Sequence, residues 1–202
     1  VGREILRALL ADKDYAAVHC VGRRPLALRH PKLTSSTVDF AALPSLPAVD
    51  DVFIALGTTI QVAGSQHAFR AIDFDAVVAV ASATRSSGAT HLGLVSAMGA
   101  SPKSPVFYNQ VKGEAEQAVA ALGFTHTVIA RPSLLDGDRA LLQQPARRGE
   151  QWGLRVMKLL RGLIPANLRA VAASDVARSL ILAVKTRGPG THILLSGELQ
   201  RH

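Results

Sequence analysis

The sequence predicts an α/β fold with a doubly wound, mostly parallel sheet, and three observations lead there. The candidate strands are apolar throughout instead of alternating apolar with polar, which marks strands buried on both faces. Helical patterns separate most of them, as parallel pairing requires. Hydrophobic residues make up 48% of the 202 residues but aromatic ones only 4%. The core must then be Ala, Val, Leu and Ile, which suits a parallel sheet packed between helices. The length fits one domain over 1–202, with about 133–170 forming a substrate-side loop and helix.

The elements follow in order. Ile5, Leu6, Leu9 and Leu10 share one face of an opening helix. Tyr15 to Val21 reads as a short buried strand stopped by Gly22, Val38 belongs to another, and Val52 to Leu56 is a third. The Ala- and Val-rich stretch from Ser65 to Ser87 reads as one long helix. His91 to Val95 is a strand ending at Ser96, and Ser104 to Leu122 contains the next helix. Thr125 to Ala130 is a strand ended by Pro132, and Trp152 to Leu163 is amphipathic. Ser174 caps a helix through Val184, and His192 to Leu195 closes the series. A sheet of this kind normally opens with a strand and a Gly-rich turn feeding the first helix. Here the helical pattern begins at Val1-Gly2, so that strand and most of the turn are expected to be missing, with Gly2 the turn's last glycine.

The candidate chemistry centres on Tyr108 and Lys112 in YNQVK. Four residues apart on one helix, they project from the same face. An ammonium near a phenol stabilises the phenolate, so such a tyrosine can pass a proton to a carbonyl oxygen or remove one. Ser96 ends a strand, where ligands of α/β sheets bind, and its hydroxyl can hold a substrate carbonyl.

A second group suits a dinucleotide. Gly57 and Thr58 follow an apolar strand, where a glycine lets the backbone approach a cofactor closely and a hydroxyl can meet ribose or phosphate. Arg23 and Arg24 stand where an acidic residue would bind the ribose 2′-hydroxyl of NAD; two guanidiniums favour a 2′-phosphate, hence NADP over NAD. Asp39 can reach the adenine amino group or serve a turn, and Pro132-Ser133 can wall the nicotinamide pocket. Arg139, Arg147, Arg148 and Glu150 lie in a stretch that can cover the substrate.

Several classes are set aside. The net charge of +8 comes from scattered basic residues, and one Trp with two Tyr makes a poor base-stacking platform, so no nucleic-acid partner is expected. No apolar run is long enough to span a membrane, and the His and Cys spacings suggest no metal. The lone Cys20 allows no intramolecular disulfide, and a cytoplasmic location is the expectation drawn from it.

In order, the blocks VFIALGTT, SAMGASPKSPVFYNQVKGEAE, ARPSLLDGDR and RRGE resemble the short-chain dehydrogenase/reductase superfamily. The likeness is to its atypical NAD(P)-binding branch, the HIV Tat-interacting protein-like group with its bacterial members. The resemblance implies a Rossmann domain using NADPH, with Ser96 orienting a substrate oxygen, Tyr108 as acid/base and Lys112 on the nicotinamide ribose. Gly2, Arg23, Arg24, Gly57 and Thr58 would line the cofactor site, with Pro132 near the nicotinamide. Many relatives carry an Asn in the long middle helix where this chain has Asp73. The function expected is reduction of a carbonyl or oxidation of an alcohol in a small-molecule substrate. The alternative is a cofactor-sensing regulator with a protein partner, and a homodimer is compatible with either.

Overall fold

A computed structural model describes residues 1–133, 135–136, 169–186 and 188–200. The amphipathic stretch from Trp152, and Arg139, Arg147, Arg148 and Glu150, lie outside the described residues. The chain opens with α1 (Gly2–Ala11), then β1 (Val18–Gly22), β2 (Leu33–Thr37) and β3 (Asp51–Ile54). Two short helices, α2 (Ile60–Ala63) and α3 (Gln66–Arg70), lead through a π-helical turn (Ala71–Asp75) into α4 (Ala76–Ser86). Next come β4 (His91–Val95), α5 (Phe107–Ala120), β5 (His126–Arg131) and β6 (Leu135–Asp136). The remainder is β7 (Val171–Ala172), α6 (Ala173–Thr186) and β8 (Gly190–Leu195).

Among the described residues every strand pair is parallel. The main sheet has four strands in the order β3-β4-β5-β8, and β1 pairs with β2 in a separate ribbon. Burial explains the apolar strands: Val128 and Ala130 of β5 face a core formed with α1 and α6, while Ile129 faces the core of α4 and α5. Helices therefore cover both faces, which is the doubly wound α/β arrangement that the sequence pattern implies. Between β1 and β3 lies a cavity of about 550 Å³, with Ile5, Leu6 and Leu9 on one side and Val80 and Thr84 on another. Its walls include His19 to Val21 and Asp51 to Phe53.

Three local expectations differ from the structure. The segment from Ser65 to Ser87 is not one α-helix: Gly64 adopts φ 86°, the Ser65 hydroxyl caps α3, and a π-helical turn interrupts the run at Ala71–Asp75. The strand near Val38 is β2, Leu33–Thr37, a polar and largely exposed segment whose composition conceals it. Ser174 lies inside the first turn of α6, which begins at Ala173.

At the amino ends of the strands, opposite the sites of interest, three histidines line up across β4, β5 and β8. The ring centroids of His91 and His126 are 5.8 Å apart, and those of His126 and His192 5.4 Å. His91 is held by Asp51, Nδ1 to Oδ1 at 2.8 Å. Burial of His126, then the facing His192 and His91, push its imidazole below the ordinary value, against weaker upward pulls from Val184 and Asp51. Such a group is fully stabilising in neutral form above the unfolded value of about 6.5, and that stability is lost as pH falls through the lower folded value. Thermal melts are expected to show Tm falling below about pH 6, with the dependence flattened in His126→Leu. An equally steep fall in the variant would exclude His126 as its source.

Candidate functional site

The carboxyl ends of the parallel strands gather most of the residues singled out from the sequence. Ser96 follows β4, Gly57 and Thr58 follow β3, Pro132 and Ser133 follow β5, and Arg23 and Arg24 follow β1. Tyr108 and Lys112 both lie on α5, one turn apart. Val106 precedes the helix in extended conformation (φ −87°, ψ 113°), so Tyr108 sits in the first turn of α5 and Lys112 in the second.

Lys112 is 6% exposed, and its Nζ lies 2.7 Å from Asp73 Oδ1. Asp73 is fully buried, and its Oδ2 accepts from the Thr58 backbone N–H at 2.9 Å. Oδ1 takes no hydrogen bond beyond that ion-pair contact. Burial pushes the Asp73 carboxyl above its ordinary value, opposed by the Lys112 charge and the hydrogen bonds of Lys112 and Thr58. The π-helical turn delivers this carboxylate to the site. Such turns widen a helix locally and re-aim a side chain, and here Asp73 is the buried polar residue that results. A Cβ on Gly57 would come within 3.3 Å of Asp73 Oδ1 and 3.4 Å of Lys112 Nζ, so glycine leaves the pair its room.

Ser96, Asp73 and Lys112 line one narrow void, closed to a water in this structure. Its Oγ is buried and finds no hydrogen-bond partner among the described residues. The Ser96 backbone N–H donates to the Ala130 carbonyl at 2.8 Å, and Met98 N–H donates to Pro132 at 2.9 Å. Pro132 therefore stands beside the loop that carries Ser96. The Tyr108 ring packs on Phe69, with centroids 5.2 Å apart.

The second tyrosine is no rival. Tyr15 donates its hydroxyl to Asp51 Oδ2 at 2.7 Å, at the other end of β3, and burial with that carboxylate pushes its phenol up. Cys20 is half-buried and its thiol is also pushed up by burial, which disfavours the reactive thiolate.

The remaining sequence-selected residues are placed less centrally. Gly2 opens α1 against Ala55. Arg23 and Arg24 are exposed. Asp39 is exposed and uses Oδ1 to accept from Ala41 N–H at 3.0 Å, a turn contact. Ser133 takes part in structural bonds: its N–H donates to Ser196 Oγ at 2.7 Å and its Oγ to the Arg169 carbonyl at 2.5 Å.

Sequence reasoning missed three supports of the site. Glu116 forms a bidentate pair with Arg131, Nε to Oε1 at 3.0 Å and Nη2 to Oε2 at 2.5 Å, tying α5 to β5. Arg70 of α3 reaches Glu114 at 2.6 Å. Gly113 is the third: a Cβ there would lie 2.2 Å from the Ser101 carbonyl carbon. The YNQVKGEAE block contains all three α5 positions, but their partners are remote in sequence. Gly113→Ala is expected to cost about 1–3 kcal/mol or more through this backbone clash, read as a lower midpoint in urea unfolding. An unchanged midpoint would mean that the Ser101–Pro102 loop moves away freely.

The arrangement matches solved Rossmann-fold structures. The chain aligns over 96% of its length with 71% of MoeE5, described in complex with UDP-glucuronic acid and NAD, at TM-score 0.70 and 19% identity. It aligns over the same share with 72% of a UDP-N-acetylglucosamine 4-epimerase from Methanobrevibacter ruminantium, at TM-score 0.67 and 16% identity. The fold is thus that of NAD(P)-binding oxidoreductases and epimerases. Sequence relatives narrow the class. Protein HTATIP2 of Rattus norvegicus is 31% identical over 211 residues, covering 100% of this chain and 84% of the relative. The mitochondrial FMP52 protein of Lodderomyces elongisporus is 30% identical over 88% of this chain and 79% of its own. The mitochondrial fmp52 protein of Emericella nidulans is 37% identical over 69% of this chain and 64% of its own. The chain belongs to the HTATIP2 and FMP52 family. No family model matches it.

These relatives correct one expectation. A cytoplasmic location does not stand beside relatives named mitochondrial. A single cysteine speaks only to disulfides, and carries no information about the organelle.

Proposed function

We propose that the protein is an NADP(H)-dependent oxidoreductase of the short-chain dehydrogenase/reductase type, acting on a carbonyl or alcohol, with Tyr108 exchanging the proton. The observation that carries this reading is the buried Ser96 hydroxyl, without a partner among the described residues, lining one narrow void with Lys112. A buried hydroxyl left unpaired costs about 1–3 kcal/mol, and a small side-chain movement that turned it toward a substrate or cofactor oxygen would remove the cost. The place also fits, since ligands of open α/β sheets bind beyond the carboxyl ends of the strands.

Bound NADPH supplies a hydride. Ser96 donates its hydroxyl hydrogen to the substrate oxygen and holds it toward Tyr108. The Tyr108 hydroxyl gives its proton to that oxygen in reduction and recovers it in oxidation. Lys112, one turn along α5, favours the phenolate that Tyr108 becomes and is placed to meet the cofactor ribose. Gly2, Gly57 and Thr58 suit the backbone approach of the dinucleotide, with Asp39 toward the adenine and Pro132 and Ser133 as a wall. Ser133 serves there by shape, its polar groups being engaged already. Arg23 and Arg24 are exposed after β1 and suit a 2′-phosphate.

Tyr108→Phe is expected to retain NADPH binding and lose turnover by about 100-fold or more on a panel of aldehydes, ketones and quinones. A native protein that reduces none of the panel, yet binds a protein partner only with NADPH, would establish the regulatory alternative instead.

Cofactor choice has its own test. Arg23→Ala with Arg24→Ala should weaken NADPH by about 10-fold or more while leaving NADH nearly unchanged. Equal losses for both nucleotides would remove the 2′-phosphate assignment.

A further inference from the structure

Asp73 is a fully buried acid with two commitments and no water-facing edge. One oxygen holds the backbone of Thr58, in the loop after β3, and the other holds Lys112 on α5. The carboxylate therefore joins the loop after β3 to α5, and with Lys112 it lines the void beside Ser96. We propose that Asp73 is a positioning residue: ionised, it fixes the Lys112 ammonium beside Ser96 and Gly57, and the site is assembled only while that pair is intact. The catalytic part of this proposal rests on the reading above, while the pairing stands without it.

Other charges do not duplicate the role. Among the described residues on α5 and the elements against it, Glu114 is paired with Arg70 and Glu116 with Arg131. Arg85 of α4 donates to the Gly123 carbonyl, and Asp75 and His67 are exposed. Lys112 thus has one carboxylate partner, Asp73. Replacing that partner by the isosteric amide preserves an acceptor for Thr58, removes the charge and leaves Lys112 facing an NH2 donor in place of a carboxylate oxygen. Protonating Asp73 does the same reversibly, and burial makes this happen at a higher pH than for an ordinary aspartate. The result is an acid limit on the site: as pH falls, Asp73 takes a proton and Lys112 is released.

The test is a titration by NMR on the full chain carrying 13C at lysine Cε and aspartate Cγ. In the native protein, the Lys112 resonance should shift on acidification in step with Asp73 Cγ. In Asp73→Asn that acid-side shift should vanish while the other lysine signals keep their native positions. A native Lys112 signal that never follows Asp73, or one that titrates unchanged in Asp73→Asn, overturns the proposal. Should Asp73→Asn not fold, Lys112→Met gives the reciprocal reading: the Asp73 midpoint should rise, and an unmoved midpoint overturns it equally.

Activity then separates the two readings. If native turnover declines on the acid side with the Asp73 midpoint, Asp73→Asn should abolish that limb and lower kcat more than it raises KM. Persistence of the limb in the variant would remove Asp73 from the reaction. An inactive native protein with the NMR coupling intact would instead count against the oxidoreductase reading and leave the ion pair in place.

Discussion

A carboxylate and an ammonium buried together are expensive to desolvate, and such a pair persists only when its geometry is good and its remaining atoms are satisfied. The Asp73–Lys112 pair has a 2.7 Å contact and a backbone donor from Thr58 on the second oxygen. Removing one partner of a buried pair typically costs about 3–5 kcal/mol, so the loop after β3, the π-helical turn and α5 are held to one another. Ser96 and Tyr108 take their places relative to that joint. A hydrophobic replacement of both partners would suit stability as well or better, so stability alone does not account for the charges.

The same joint explains the shape of the segment before α4. An uninterrupted α-helix from Ser65 would carry position 73 at a different angle around its axis, since each residue turns the helix by about 100°. The π-helical turn at Ala71–Asp75 alters that phase where Asp73 must face inward. Phe69, fully buried one turn earlier, packs against both Phe107 and Tyr108. The irregularity thus aims two side chains at α5, one apolar and one charged, and the α5 face that receives them is the one bearing Tyr108 and Lys112.

Much of this arrangement is legible in the sequence where the determinants are local. Tyr108 and Lys112 are a fixed helical spacing, Ser96 and Gly57 each close an apolar strand, and the helical pattern between strands implies parallel pairing. What is hidden depends on partners far along the chain. β2 is written LTSST, without the apolar run that announces a buried strand, because it lies exposed beside β1. The π-helical turn has no composition of its own. Gly113 is an ordinary glycine in a helix until the Ser101–Pro102 backbone is known to lie against it. The basic pair Arg23-Arg24 has a local rationale in its position after a strand, but its ligand does not follow from composition, since exposed arginines serve many anions.

Seen along α5, the charged residues Lys112, Glu114 and Glu116 bind three different elements: the π-helical turn, α3 and the end of β5. Each contact restrains a different direction, so the helix cannot slide or rotate without breaking at least one. Two of the three attachments are partly exposed on one side, and surface pairs contribute little to stability on their own. Their effect is geometric. They anchor the body of α5, and with it the first turn that carries Tyr108. Under the proposed role of Tyr108, a helix pinned along its body fixes the distance at which the phenol can meet a substrate oxygen.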